Sequence, residues 1–215
     1  MLYLESLNSS LHNILEKNKD VILIGEDLLD PYGGAFKVSK GLSTAFPGQV
    51  ISTPISEAGV VGTATGMAMR GLKPIVEIMF GDFISLAADQ IINHATKYNW
   101  MYNNQVSVPM IIRTPVGGRR CYGPTHSQCL ENIFMSVPGL EIVAPSICHN
   151  PGEMIEKLIK YIDKPTIFVE YKIDYSKQLH NDTFGNFSIF RKDAGHYNQN
   201  ITLSLYPDEK PDILI

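Results

Sequence analysis

The chain has 215 residues, 44% hydrophobic and 19% charged, and its 18 basic against 22 acidic side chains give a formal charge of −4. Such a composition excludes a disordered or fibrous chain, and the length allows a full hydrophobic core without staples. A weakly acidic chain without a basic run is a poor partner for nucleic acid or an anionic membrane, and no apolar run reaches the roughly 20 residues of a membrane span.

Leu4, Leu7, Leu11, Ile14 and Leu15 recur at helical spacing and predict an amphipathic helix within residues 1–20. It has no basic start and no small-residue cleavage site, so it does not read as a signal peptide. Residues 21–24 form an apolar strand that opens into Gly25-Glu26-Asp27. Val38, Leu42 and Phe46 predict a helix stopped at Pro47-Gly48, and Val50-Ile51 a short strand. A small-residue helix over 57–70, a strand over 74–80, a long helix over 84–98 and a strand over 108–113 follow. Then come a glycine-rich loop at 116–127, a helix at 128–135, a strand at 140–144, a helix at 153–162 and a strand at 166–170. Apolar strands alternating with helices predict an α/β fold of three layers, with a mostly parallel sheet between two helical layers. Residues 176–200 are polar and read as a linker, while the apolar runs at 203–205 and 213–215 read as the start of another domain. The expected organisation is therefore one domain over 1–175, then a linker and the beginning of a missing carboxyl-terminal domain over 176–215.

In parallel sheets functional groups gather at the carboxyl ends of strands, which directs attention to three segments. Gly59, Gly62 and Gly66 share one face of the 57–70 helix, a pattern of close helix packing, and Gly62 and Gly66 are expected to face another helix across a subunit interface. Ser56 is a candidate N-cap, which puts Glu57 in the first helical turn. A solvated acid favoured by the helix dipole is the ordinary reading of such a residue, and a buried carboxyl at a strand-to-helix junction is the functional one. Gly81-Asp82 resembles the start of a metal-binding Gly-Asp-Gly motif, but Phe83 stands in the third position and Asn103-Asn104 precede the next strand, so no metal site is expected there. The loop at 116–127 ends near His126, and a histidine on a glycine-rich strand-end loop is a candidate for chemistry. Cys121, Cys129 and Cys148 show no metal spacing, and an odd count fits a reducing, cytoplasmic setting.

With these pieces in order, the chain resembles the beta subunit of the thiamine diphosphate-dependent decarboxylating component of 2-oxo acid dehydrogenase complexes. The resemblance rests on Gly25-Glu26-Asp27, TPISEAGVVGTATGMAMRG at 53–71, PIVEIMFGDF at 74–83, Asp89-Gln90 with Asn93, Arg113-Thr114-Pro115, PTHSQ at 124–128 and PGLEIVAPS at 138–146. It implies the pyrimidine-binding fold of the transketolase-like superfamily. It implies that Glu57 bonds the aminopyrimidine ring of thiamine diphosphate, that Ile55, Met79 and Phe83 line that ring, and that His126 handles the 2-oxo acid substrate or acyl transfer. Without a Gly-Asp-Gly motif, magnesium and the diphosphate would be held by an alpha subunit, in a heterotetramer that also self-associates through its beta subunits. Docking to a lipoyl acyltransferase core is implied as well, and so is the potassium ion that some members hold through loop carbonyls, for which the neighbourhood of Asp163 is the matching loop. Two other readings stay open: a non-catalytic assembly module, and half of a split transketolase or deoxyxylulose phosphate synthase.

Overall fold

The computed structural model describes residues 1–196 and 198–205. Its centre is a six-stranded sheet of β1 (Val21–Glu26), β2 (Val50–Thr53), β3 (Lys73–Glu77), β4 (Ile111–Val116), β5 (Glu141–Val143) and β6 (Thr166–Tyr171). The strand order is β2-β1-β3-β4-β6-β5, and every pairing is parallel. Two separate apolar cores cover the two faces, which makes the three layers expected. Among the described residues no helix is long and apolar enough to cross a membrane.

One core lies under α1 (Tyr3–Lys17) and α5 (Pro151–Tyr161). The leucine stripe of α1 gives Leu7, Leu11, Ile14 and Leu15, which meet Ile155, Leu158 and Ile159. The Glu5 carboxylate accepts the Leu2 N–H at 2.8 Å and so occupies one of the free donors at the helix start. The helices approach closely because α5 has Gly152 at the contact, where a Cβ would collide with Ser6 and Ser10. The other core lies under α3 (Glu57–Met69) and the helical stretch 81–95.

Several local expectations are corrected. The long helix read over 84–98 is a 3-10 segment, Gly81–Ala87, then a π segment, Gln90–Ala95, then a single α turn, α4 (Tyr98–Met101). An apolar repeat of three to four residues fits all three helix types, which differ only in hydrogen-bond reach. The helix read around Val38, Leu42 and Phe46 shrinks to α2 (Leu42–Ala45). It starts after Gly41, which sits at φ 85°, and the Asp30 carboxylate accepts from the Gly41 and Thr44 backbone. The helix read over 128–135 is only a 3-10 turn, Glu131–Phe134. Gly62 faces a helical segment of the same chain, since a Cβ there would meet the side chain of Gln90, the first residue of the π segment, and no group of this chain lies against Gly66.

The polar stretch read as a linker carries a second, antiparallel sheet of β7 (Thr183–Phe184), β8 (Phe187–Ala194) and β9 (Asn198–Ser204). Backbone pairing joins its strands, and Ile189 is its one buried apolar side chain among the described residues, so it leaves little apolar signal. The 213–215 run lies outside the described residues. Arg191 latches this hairpin to the domain by donating to the Cys148 carbonyl at 2.9 Å and the His180 carbonyl at 2.6 Å. His149 completes the latch. Its Nδ1 accepts the Ser146 N–H at 3.0 Å, which leaves Nε2–H to donate to the Gln199 carbonyl at 3.1 Å.

The middle of the sheet holds a buried ionic network. Arg113 donates to both oxygens of Glu170, at 2.7 and 2.9 Å, and to Glu77 at 2.9 Å. Ser39 donates to Glu77 at 2.6 Å and Tyr175 to Glu170 at 2.7 Å. Burial opposes the guanidinium charge, but Glu170 and Glu77 outweigh it and hold Arg113 above its ordinary range.

Removing one member should therefore expose the rest as unpaired buried charge. Arg113→Met is expected to lower the unfolding free energy by about 3–5 kcal/mol, read from the urea midpoint. A loss under about 1 kcal/mol would mean the two carboxylates find other partners. The latch should respond to pH. Burial pulls His149 below the ordinary histidine range, against the Gln199 bond, and Arg191 adds to the fall. A folded pKa below the unfolded value near 6.5 makes the contribution whole above about pH 6.5 and lost as pH falls through the folded value. The difference in thermal midpoint between wild type and His149→Ala should be largest above that pH and shrink toward pH 5; a constant difference would refute the assignment.

Candidate active site

Three connections at the carboxyl edge of the sheet bring the candidate residues out of the core. The first runs from β2 into α3. Ser56 caps the helix, its Oγ accepting the Gly59 N–H at 3.3 Å, and this puts Glu57 at the first helical position. Glu57 is buried, as the functional reading required. Beside it the last residue of β1, Glu26, is also buried, and its Oε1 has no hydrogen-bond partner. Burial raises the Glu26 carboxyl above the ordinary range, the charge of Glu57 raises it further, and the Ser56 backbone bond opposes both. Glu26 is the site residue that sequence reasoning missed. Its signal was an acid closing an apolar strand in VILIGE; Gly25-Glu26-Asp27 counted toward the resemblance, but Glu26 was given no role in the site.

Ile55 is 77% exposed at the β2–α3 junction. Next to it lies a shallow cleft of about 230 Å³ walled by Ile24, Thr53, Pro54, Gly59, Val60 and Thr63. A buried carboxyl pair with one unpaired oxygen, set beside an apolar cleft, fits a flat heterocycle that offers both ring nitrogens and an amino group. The residues present thus suit the aminopyrimidine part of thiamine diphosphate.

The second connection leaves β3. Met79 and Phe83 are half-buried there, and Phe83 packs against the core under α3. The third leaves β4 and carries His126. The imidazole meets Phe80 and Phe83 edge-on, with ring centres 4.6 and 5.1 Å apart. Thr125 Oγ1 lies 3.0 Å from its Nδ1. His126 and Phe83 are thus brought together, and Glu57 is brought to Glu26; among the described residues no hydrogen bond joins the two groups. Asp82, weighed above only as a fragment of a metal motif, is buried and anchors this loop. Its Oδ1 accepts the Ser127 and Gln128 N–H groups, each at 3.2 Å, and the Gln128 side-chain amide at 2.9 Å.

This geometry can be set beside known proteins. A family profile described as the transketolase pyrimidine-binding domain matches residues 1–178. The chain belongs to that family. It is 39% identical to the pyruvate dehydrogenase E1 component subunit beta-2, mitochondrial, of Oryza sativa subsp. japonica, over 81% of this chain and 46% of the relative. It is 36% identical to the 2-oxoisovalerate dehydrogenase subunit beta of Pseudomonas aeruginosa, over 94% of this chain and 53% of the relative. A beta subunit of acetoin:2,6-dichlorophenolindophenol oxidoreductase from Bacillus subtilis is 37% identical over 80% of this chain and 54% of the relative. The chain therefore spans about half the length of these relatives. Among solved structures, a split-gene transketolase described as an inactive beta4 tetramer shares the fold, with a TM-score of 0.64 and 17% identity over 86% of this chain and 54% of the other.

The carboxyl pair makes a stability prediction of definite sign. A carboxyl raised in the fold above its unfolded value destabilises progressively as pH rises past about 4.3. Glu26→Gln should therefore be more stable than wild type at pH 7, with the gain vanishing near pH 4, in paired urea titrations. A variant less stable than wild type at pH 7 would mean that Glu26 is an ionised, paired group.

Proposed function

We propose that this chain supplies the aminopyrimidine half of a thiamine diphosphate site, as the beta subunit of a 2-oxo acid dehydrogenase decarboxylating component or as part of one. The observation that carries the reading is the buried Glu57 at the start of α3, facing Glu26 with its unpaired oxygen at the carboxyl edge of the sheet. Thiamine diphosphate, when bound, supplies the carbanion chemistry that decarboxylation of a 2-oxo acid requires. Glu57 holds and returns a proton at the pyrimidine ring, and burial together with the charge of Glu57 raises the neighbouring Glu26 carboxyl above its ordinary range. Ile55, Met79 and Phe83 form apolar walls that keep water from the ring. His126, edge-on to Phe80 and Phe83, is placed to hold a proton at the substrate or at the acyl group passed to a lipoyl carrier.

The rest of the site belongs, in this reading, to an alpha subunit that holds magnesium and the diphosphate. Self-association of beta subunits, docking to a lipoyl acyltransferase core and a potassium ion near Asp163 complete the assignment. The beta-subunit names of the relatives support it over a free-standing assembly module, as does the carboxyl pair, since an assembly module gains nothing from destabilising buried acids.

The test is Glu57→Gln in the enzyme assembled with its alpha subunit, magnesium and saturating cofactor. Gln keeps the size and removes the exchangeable acid. A positioned acid–base group is worth typically about 10²–10⁴-fold in rate. Exchange of the thiazolium proton into deuterated water should slow by at least about a hundredfold, with the thermal midpoint nearly unchanged. Wild-type exchange in the variant would reject the assignment.

A further inference from the structure

The backbone that carries His126 is gripped from two sides by buried ions. Lys172 follows β6 directly and is 0% exposed. Its ammonium donates to the His126 carbonyl at 2.9 Å and lies 5.3 Å from the centre of the Phe80 ring. From the other side Asp82 Oδ1 accepts from the next two residues, Ser127 and Gln128, while its Oδ2 has no partner. The Asp82 charge attracts the ammonium across the loop, and burial pulls Lys172 below the ordinary lysine range despite it.

For folding alone this is a poor arrangement. A buried ion costs several kcal/mol unless geometry and hydrogen bonds compensate, and a methionine would fill the same space. Among the described residues the one hydrogen bond made by the Lys172 ammonium goes to the peptide of His126. The loop before it needs such a grip. Gly117, Arg119, Cys121 and Gly123 all have left-handed backbone, with φ of 86°, 63°, 60° and 82°. Non-glycine residues in that region persist only where the surroundings over-determine them. The two ions end that uncertainty at 126–128, where the Phe80 and Phe83 contacts begin.

We propose that Lys172 and Asp82 are positioning residues that together fix the peptide unit of His126, and with it the angle at which the imidazole meets Phe80 and Phe83, without touching the reacting groups. The kinetic half of this proposal rests on the role for His126 given above; the structural half stands without it.

The experiment uses the assembled enzyme and Lys172→Met, which keeps the stem and removes the donor. Amide exchange at 126–128 should accelerate by at least about tenfold, with the rest of the exchange map unchanged. The kcat should fall while KM for the 2-oxo acid holds. In a double-mutant cycle, adding Lys172→Met to His126→Ala should slow the enzyme no further, within about twofold, because the lysine acts only through the histidine. Unchanged exchange at 126–128, or a fully additive cycle, would overturn the proposal. If wild type turns over no 2-oxo acid, the functional reading fails and the exchange result alone decides the clamp. Should Lys172→Met not fold, Asp82→Ala should lose the same protection and Asp82→Asn, which keeps an acceptor oxygen, should recover it. Equal losses in both would overturn it too.

Discussion

The guanidinium of Arg113 is the group on which the rest of the molecule depends. It sits at the centre of β3, β4 and β6, three neighbouring strands, and joins Glu77 on one side to Glu170 on the other. Parallel strands diverge into separate connections at their carboxyl ends, where the ladder of backbone bonds stops. Pairing between β3 and β4 ends at Glu77 and Arg113, and there the ionic bonds tie β3 to β4 and β6, whose own pairing runs on to Val116 and Tyr171. Two carboxylates face one guanidinium, and the Ser39 and Tyr175 hydroxyls supply the remaining donors. Partial satisfaction would make such a network a liability, and full satisfaction makes it rigid. Each of its strands then leads into the site: β3 to Phe80 and Phe83, β4 to His126, and β6 to Lys172.

Much of the fold was legible because burial on both faces writes each central strand as an apolar run. Val21, Leu23, Ile75, Ile111, Ile112 and Ile167 announce their strands without reference to anything distant. The hydrogen-bond reach of the 81–95 stretch was not legible, since 3-10, α and π turns bury the same periodic positions. The hairpin at 183–204 was hidden for the opposite reason. It is joined by backbone bonds and latched by Arg191 and His149, and neither signal has a period.

The site divides along the same line. Glu57 and His126 stand at positions that local grammar marks, a capped helix start and a glycine-rich strand end. Glu26, Asp82 and Lys172 acquire their roles from partners on other connections: Glu57 for the first, residues 127 and 128 for the second, and the His126 carbonyl for the third. A linear reading sees an acid after a strand or a lysine after a strand, and both are common on solvated edges. Only the parallel sheet, which draws these edges together, turns them into neighbours. The small-residue face of α3 was legible locally, and at Gly62 the neighbour is Gln90 at the start of the π segment.

The packing of α1 has a consequence for the order in which the chain is made. Its stripe of leucines rests on α5, and the Tyr3 and Leu4 amides donate to the carbonyls of Lys177 and Tyr175. α1 is thus made well before the partners that fix it, α5 and the 175–177 backbone. An isolated helix of 15 residues is marginal in water. Until α5 has emerged, Leu7, Leu11, Ile14 and Leu15 lack the Ile155, Leu158 and Ile159 surface that covers them, and for that interval of synthesis the nascent chain carries an uncovered apolar stripe.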